Sequence, residues 1–302
     1  MKLRHFLFAA AMVVTASQAR AQGFSDTSIG LRDALTVANP GGNTDAVTLN
    51  TNEKGSRNVN KVIVNLEHFD VWDYGTNFFN ADILMSNPNE AASNSSGGST
   101  ELYAVYRAQL SPDKIFGLNT KIGPITGINL ELGGDLETEN NTFAPNKKLL
   151  IIGPNFNIGL PAGLLNIGVH LAKEWNHNGI AGTLISFGVP GPFKSSVSFD
   201  PTAEFEFVWL YNLKGLVGLP LTFQGFMNVV LPKGNTGFGG PTYTEVLAVP
   251  RLSLDVGTML FGKAHKPDVY FQVEFWEHKF GNSDRLAGTE EVAPTFGIEV
   301  HF

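Results

Sequence analysis

Apolar and polar residues alternate one by one through segment after segment of this chain. In Ala293 to Phe302, Pro294, Phe296, Ile298, Val300 and Phe302 fall on one side. Thr295, Gly297, Glu299 and His301 fall on the other. A period of two is that of a β-strand with one apolar and one polar face. In Glu101 to Leu110, Leu102, Ala104, Tyr106, Ala108 and Leu110 oppose Glu101, Tyr103, Val105, Arg107 and Gln109. In Asp268 to Phe280, Val269, Phe271, Val273 and Phe275 oppose Tyr270, Gln272, Glu274 and Trp276. In Glu245 to Val256, Val246, Ala248, Pro250, Leu252, Leu254 and Val256 oppose Glu245, Arg251, Ser253 and Asp255. Pro250 has no N–H to give a ladder, so a local defect is expected there. Weaker alternation marks Phe24–Leu31, Val59–Val71, Phe78–Ser86, Thr126–Glu137, Leu149–Ile158, Leu165–Trp175, Ala203–Tyr211 and Leu221–Leu231. The pattern predicts about twelve strands, most of them about ten residues long, enough to cross a thin membrane when tilted.

The connections alternate in length. Those near Arg32–Asn58, Asn87–Thr100, Thr138–Lys147, Asn176–Pro201, Pro232–Thr244 and Gly281–Glu290 are long and rich in Asn, Gly, Ser, Thr and Pro. Those between them are mostly shorter, as near Trp72–Tyr74 and Pro161–Gly163, with Ser111–Pro124 as the exception. Long loops on one side and short turns on the other are the asymmetry of a membrane barrel with its N-terminus on the short-turn side. No repeat of solenoid period is visible and no linker suggests a second domain.

The polar sides decide which face is wet. Asn65, Glu67, Asn80, Asp82, Asn129, Glu131, Asn155, Asn157, Glu204, Glu206, Gln224 and Asn228 repeat along them. A soluble sandwich also alternates, but it buries its apolar face. One closed antiparallel sheet, with lipid outside and water inside, explains both faces and leaves no unpaired edge. The 33 Gly and 23 Phe suit tight turns and a lipid-facing surface with aromatic girdles.

The first residues point to export. Lys2, Arg4 and His5 precede the apolar run Phe6 to Ala16, which is too short to span a bilayer as a helix. Ala19-Arg20-Ala21 reads as a cleavage site, so residues 1–21 are expected to be a signal peptide and residues 22–302 the barrel. The first 21 residues hold three of the 21 Lys and Arg and none of the 28 acids. The remainder therefore carries about −10 with His neutral, which argues against a nucleic-acid partner. Cysteine is absent, so disulfide and thiolate chemistry are excluded.

Candidate chemistry is sparse. No HExxH, GxSxG, P-loop or spaced Cys cluster occurs. His68 with Asp70 and Asp73, Glu277-His278 and Glu299-His301 imitate metal clusters, but none has a third ligand at a recognisable spacing. No metal and no cofactor are therefore expected. A Ser–His–acid hydrolase would need its groups on the bilayer side, whereas His68, His170, His278 and His301 are read as facing inward. The expectation is no enzyme. Mixed charge remains near the lumen or rim, where Arg107, Arg251, Lys173 and Lys279 offset the acids. Tyr103, Tyr270 and Trp276 offer ring faces on which a flat solute could stack. The expected pore-lining and substrate-binding residues are Asp82, Asn80, Glu101, Tyr103, Arg107, Glu131, Arg251, Glu274 and Trp276. Arg107 also fits a structural role, pairing with a carboxylate to hold the wall.

Three stretches carry a resemblance. They are Phe24-Ser25-Asp26-Thr27-Ser28-Ile29-Gly30, Tyr74-Gly75-Thr76-Asn77-Phe78-Phe79-Asn80-Ala81-Asp82-Ile83-Leu84, and Glu101-Leu102-Tyr103-Ala104-Val105-Tyr106-Arg107. With a final strand closing on Phe302, the chain resembles the Tsx-like nucleoside-specific channels of bacterial outer membranes. The chain is expected to be a monomer, and the resemblance implies a twelve-stranded barrel in the outer membrane with a narrow pore and nucleoside sites lined by aromatic and polar groups. It also implies passive diffusion of small polar solutes such as nucleosides, and recognition of the terminal strand by the barrel assembly machinery. A lipid-modifying barrel enzyme and a structural or adhesive barrel with a plugged lumen are the competing classes. The first should show Ser and His together on the outer face; the second should show a lumen closed by paired charges.

Overall fold

The computed structural model describes residues 23–38, 59–90, 98–140, 144–286 and 288–302. The expected signal peptide at 1–21 and the cores of three long connections, at 39–58, 91–97 and 141–143, lie outside the described residues. The strands are β1 (Ser25–Val37), β2 (Val59–Trp72), β3 (Gly75–Ser86), β4 (Thr100–Leu110), β5 (Ile125–Glu139), β6 (Lys148–Leu160) and β7 (Gly163–His177). They continue as β8 (Ser196–Ser198), β9 (Thr202–Asn212), β10 (Leu221–Val230), β11 (Glu245–Asp255), β12 (Asp268–Glu277) and β13 (Glu291–His301). All but β8 are staves of one antiparallel sheet. Each pairs with its neighbour in the chain, β7 pairs with both β6 and β9, and β13 returns to β1. The three-residue β8 pairs with the end of β7. The sheet is thus a closed barrel of twelve staves, as the alternation predicted.

Boundaries moved where the ends have their own chemistry. β1 continues past Leu31 to Val37 because Arg32 and Ala34 keep the alternation, and both line the interior. β11 stops at Asp255, whose side chain accepts the Thr258 N–H at 2.7 Å and caps a helix, so Val256 is helical. β12 stops at Glu277, where His278 and Phe280 adopt φ of 52° and 59° and turn the chain. The ladder defect expected at Pro250 is present. The β11–β12 pairing passes from Ala248–Phe275 to Arg251–Gln272 with no partner assigned to Val249 or Pro250. Pro154 does the same on β6, between the pairs Ile152–Leu171 and Asn155–Gly168. The register survives both gaps, so a missing N–H interrupts a ladder without shifting it.

The start of β1 and the end of β13 lie at one rim, which we call the terminal rim. It carries the tight turns Trp72–Gly75 and Leu160–Gly163. The Ser111–Pro124 connection is also there, and it is a real long turn rather than a misread strand. Ser111 caps the helix α1 (Pro112–Phe116), proline fits its first turn, and Gly117 at φ 67° ends it. The opposite, loop rim carries the long connections, including α2 (Gly179–Ser186). Two further connections at the terminal rim hold α3 (Lys214–Val217) and α4 (Val256–Phe261), so the short-turn rule fails there. Among the described residues no helix is long and apolar enough to cross a membrane.

The side chains are distributed inside out. Leu31, Val64, Leu132, Ile152, Leu171, Phe223, Phe271, Phe296 and Ile298 are exposed on the outer face. Asn65, Arg107, Glu131, Asn155, His170, Glu204, Gln272 and Thr295 are buried inside. Water would not stabilise that outer face, whereas hydrocarbon would.

The seam between the first and last strands is testable because the chain has no cysteine. Leu31 and Ile298 face each other across β1 and β13. Directly opposed antiparallel residues have Cα atoms about 4.5–5.5 Å apart, within disulfide reach. Leu31→Cys with Ile298→Cys should oxidise to a bridge that changes gel migration only without reductant. Failure to bridge in the folded protein would mean that the ring does not close there.

Candidate functional site

The barrel encloses a cavity of about 2330 Å³ lined by side chains from all twelve staves. It is bounded by Phe24, Asp26 and His301 at the terminal rim and by Glu90, Glu139 and Glu290 at the loop rim. Twelve staves explain the space: about eight leave room only for side chains, and about sixteen leave a wide channel. All nine residues expected to line a pore, Asp82, Asn80, Glu101, Tyr103, Arg107, Glu131, Arg251, Glu274 and Trp276, face this cavity. The strand alternation puts them there.

Most of their charges are paired. Arg32 on β1 binds Asp82 on β3, and Arg251 on β11 binds Glu299 on β13. Lys61 on β2 donates to Glu101 on β4 at 2.8 Å. Each of these pairs reaches over one intervening stave and lies along the wall. Arg107 is different. Its Nη1 donates to Asp135 on neighbouring β5 at 2.8 Å, and its Nε donates to Glu206 at 3.0 Å. Glu206 is on β9, four staves round the ring from β4, so this bond is a chord across the lumen. It subtends the arc of β5, β6 and β7. Glu131, Asn155 and His170 on that arc are fully buried, with Asn155 donating to Glu131 and His170 Nε2 lying 3.4 Å from Glu131. Glu131 therefore meets the cavity from within a packed polar cluster.

The ring faces are also engaged. The Tyr103 hydroxyl donates to Asp135 at 2.9 Å, and Lys147 lies 6.0 Å from its ring. Trp276 Nε1 donates to Glu245 at 3.0 Å, and Lys279 sits 4.5 Å from its ring. Arg251 stacks on Tyr270 at 3.6 Å. Apolar side chains complete the wall on one side: Val208, Leu210, Phe226, Leu247 and Val249 on β9 to β11.

Two connections meet over the loop rim. Lys194 N–H donates to Gly237 O at 2.8 Å, and Asp200 N–H to Lys233 O at 2.9 Å. Lys233 is buried, bound to Glu174 and Glu245, with its ammonium 4.8 Å from the Phe199 ring. Burial lowers its pKa, but the carboxylates of Glu174 and then Glu245 more than reverse this, so it lies above the ordinary lysine value.

Three placements are corrected. Lys173 is not in the lumen; His170, Ala172 and Glu174 are buried, so Lys173 points outward, 5.5 Å from the Trp175 ring. His68 does not face inward. Glu67, Phe69 and Val71 line the cavity, and His68, of opposite parity, pairs on the outer face with Thr27 Oγ1 at 2.7 Å. His278 lies beyond the strand end, stacked on Tyr243 at 5.2 Å. The buried cations Arg32, Lys61, Lys147 and Lys233 escaped the sequence reading. Continued alternation marked Arg32, and Lys61 shares the parity of Asn65. Nothing local marked the loop lysines. The Glu299-His301 pair gains neighbours from elsewhere. Among the described residues, His265, Asp268 and His301 are the group of potential metal ligands whose donor atoms all lie within 4.8 Å of one another.

No known protein family matches the chain, and no curated protein matches it in sequence. Solved structures with similar architecture are outer-membrane barrels. An outer membrane channel from Pseudomonas putida F1 superposes with a TM-score of 0.48 at 11% identity, over 93% of this chain and 96% of that one. The KdgM porin gives 0.40 at 9% identity, over 91% and 99%. The translocator domain of the autotransporter NalP from Neisseria meningitidis gives 0.40 at 9%, over 98% and 95%. These are distant likenesses and assign no family.

Two outcomes follow from the paired charges. Arg107→Ala leaves Glu206 buried without that cation and Asp135 with only Lys147, 3.7 Å away, and should cost on the order of 3–5 kcal/mol. Adding Asp135→Asn and Glu206→Gln should recover most of that, read as the denaturation midpoint in detergent. Equal stability of the single variant and the parent would remove the chord. For Lys233, a raised folded pKa means that the clasp is fully present below the unfolded lysine pKa of about 10.4. It is lost only as pH rises through the higher folded value. Proteolysis of the 178–201 connection should therefore not accelerate between about pH 8 and about pH 10, and acceleration there would contradict the assignment.

Proposed function

We propose that this protein is an outer-membrane channel through which small polar solutes diffuse passively, with nucleosides as the leading candidates. The observation that carries the reading is the cavity itself. It is lined from every stave and bounded by both rims, inside a barrel whose outer face is apolar. The terminal rim adds a collar of exposed Phe116, Leu216, Leu260 and Phe302, suited to the interface between acyl chains and headgroups. Wall-hugging pairs such as Arg32–Asp82 and Lys61–Glu101 neutralise charge without filling the lumen. The Arg107–Glu206 pair does cross the lumen, yet a cavity of about 2330 Å³ remains, which argues against a barrel plugged by its own charges. Asn80, Asp82 and Glu101 offer groups for sugar hydroxyls, while Tyr103 and Trp276 offer partly covered rings for a base. Arg107, Glu131, Arg251 and Glu274 set the field that a solute meets. The chain is taken to act as a monomer, inserted by the barrel assembly machinery.

Planar-bilayer conductance tests this. The purified barrel should need detergent, shift on gels after boiling, and conduct ions with block by added nucleosides. Tyr103→Ala should weaken that block, and Arg107→Ala should move selectivity toward cations. A folded protein that never conducts would sink the channel reading; conduction without nucleoside block would sink only the solute. A tag inserted at Gly97 should be reached on intact cells if the loop rim faces outward.

One observation favours a second reading, a hydrolase working on lipid. Thr27, His68 and Asp70 lie together on the outer face, with His68 Nε2 3.4 Å from Asp70 Oδ2. Thr27 and His68 are, however, opposite residues in the β1–β2 ladder, a setting that presents no free backbone N–H pair for an oxyanion. Release of fatty acid from phospholipid vesicles, abolished by His68→Gln, would establish the enzyme.

A further inference from the structure

The loop between β11 and β12 brings His265 to the end of the last strand. His265 Nδ1 lies 2.7 Å from Asp268 Oδ2, and His301 Nε2 lies 4.0 Å from the same oxygen. Donors about 2.0–2.2 Å from a tetrahedral ion stand about 3.3–3.6 Å apart, so these separations bracket a binding geometry. The backbone holds the three pieces together. His301 N–H donates to His265 O at 3.1 Å, and His265 N–H donates to Asp255 Oδ1 at 3.0 Å.

Two further features point to a ligand. The Asp268 side chain is 6% exposed, yet its Oδ1 has no hydrogen-bond partner. A buried carboxylate oxygen left without a donor is costly, and a cation would satisfy it. Behind the cluster, His301 Nδ1 lies 2.7 Å from Asp26 Oδ2. A carboxylate on one ring nitrogen fixes the proton there and leaves the other nitrogen free to ligate, which is the usual outer-shell support of a metal-bound histidine. His301 Nε2 also lies 3.3 Å from Glu299 Oε1, which Arg251 binds as well, so an ion at Nε2 replaces that contact while Glu299 keeps Arg251. His265 is half exposed, giving an ion a way in from solvent.

We propose that His265, Asp268 and His301 bind a divalent transition-metal ion of the zinc class at the terminal rim. Two imidazoles and a carboxylate select that class over calcium or magnesium, which prefer oxygen ligands throughout. The ion would join the β11–β12 loop to the last strand beside its seam with β1. Because all three ligands also line the cavity, it would sit at the cavity mouth. The binding itself stands apart from any channel activity.

The test uses the untagged full chain in detergent, stripped of metal and checked for heat-modifiable migration. Equilibrium dialysis against micromolar zinc should load about one equivalent, and cobalt should give visible absorption bands at the same site. His265→Gln, in an exposed loop where folding is not at stake, should weaken zinc binding at least tenfold, and His301→Gln likewise. His68→Gln, outside the cluster, should bind as the parent does. Absence of zinc from the parent, or equal loading of the His265→Gln variant, would overturn the site.

Discussion

Charged side chains inside a closed sheet are costly unless they are partnered, and most of the inward cations are arranged around that constraint, although buried Glu204 keeps both carboxylate oxygens without a hydrogen-bond partner. An unpaired ion away from water costs several kcal/mol, far more than one strand-pair contact returns. Three inward cations answer it in the same way. Arg32, Lys61 and Arg251 each bind an acid two staves away. A bond of that span crosses the concave side of the stave between, so it favours curvature as well as neutrality. Pairing with the adjacent stave alone, as Lys279 does with Glu291, would neutralise charge but leave curvature to the backbone.

What could be read from the sequence follows the range of the forces involved. Strand alternation is local, so twelve staves, their inward residues and the ladder break at Pro250 were all legible. The same parity should have placed His68 and Lys173 outward. His68 cannot share a face with Glu67, nor Lys173 with His170, and polarity misled where position did not. Ring partners were not legible. Arg107 and Glu206 are 99 residues apart, and which acid meets which cation depends on register and on closure of the whole ring. His265 was invisible for the same reason: it becomes a neighbour of His301 only after the last two strands have paired.

The chord from Arg107 to Glu206 divides the interior unequally. Beneath β5 to β7, the buried polar cluster of Glu131, Asn155 and His170 makes a thick wall. Along β9 to β11, the wall is thin and partly apolar, with Phe226, Leu247 and Val249 facing the cavity. Between them the β1 to β4 wall carries the paired acids and bases. A solute in this cavity would therefore meet an apolar strip on one side and charge pairs on the other. An asymmetric lining of that kind suits a molecule with an apolar face and a polar edge better than a simple ion.

The two rims solve opposite problems. At the loop rim, Lys233 anchors its connection to β7 and β11 through Glu174 and Glu245, and backbone bonds from Lys194 and Asp200 tie the neighbouring connection to it. At the terminal rim, short helices turn apolar side chains outward while Asp255 and Asp268 turn inward beside His265 and His301. The last strand thus ends between an apolar exterior and an acidic interior. Its outward residues continue the apolar band, and its inward His301 meets Asp26 from the first strand. The polar contact at the seam depends on β1 and β13 pairing in register, so the chemistry at this mouth depends on ring closure.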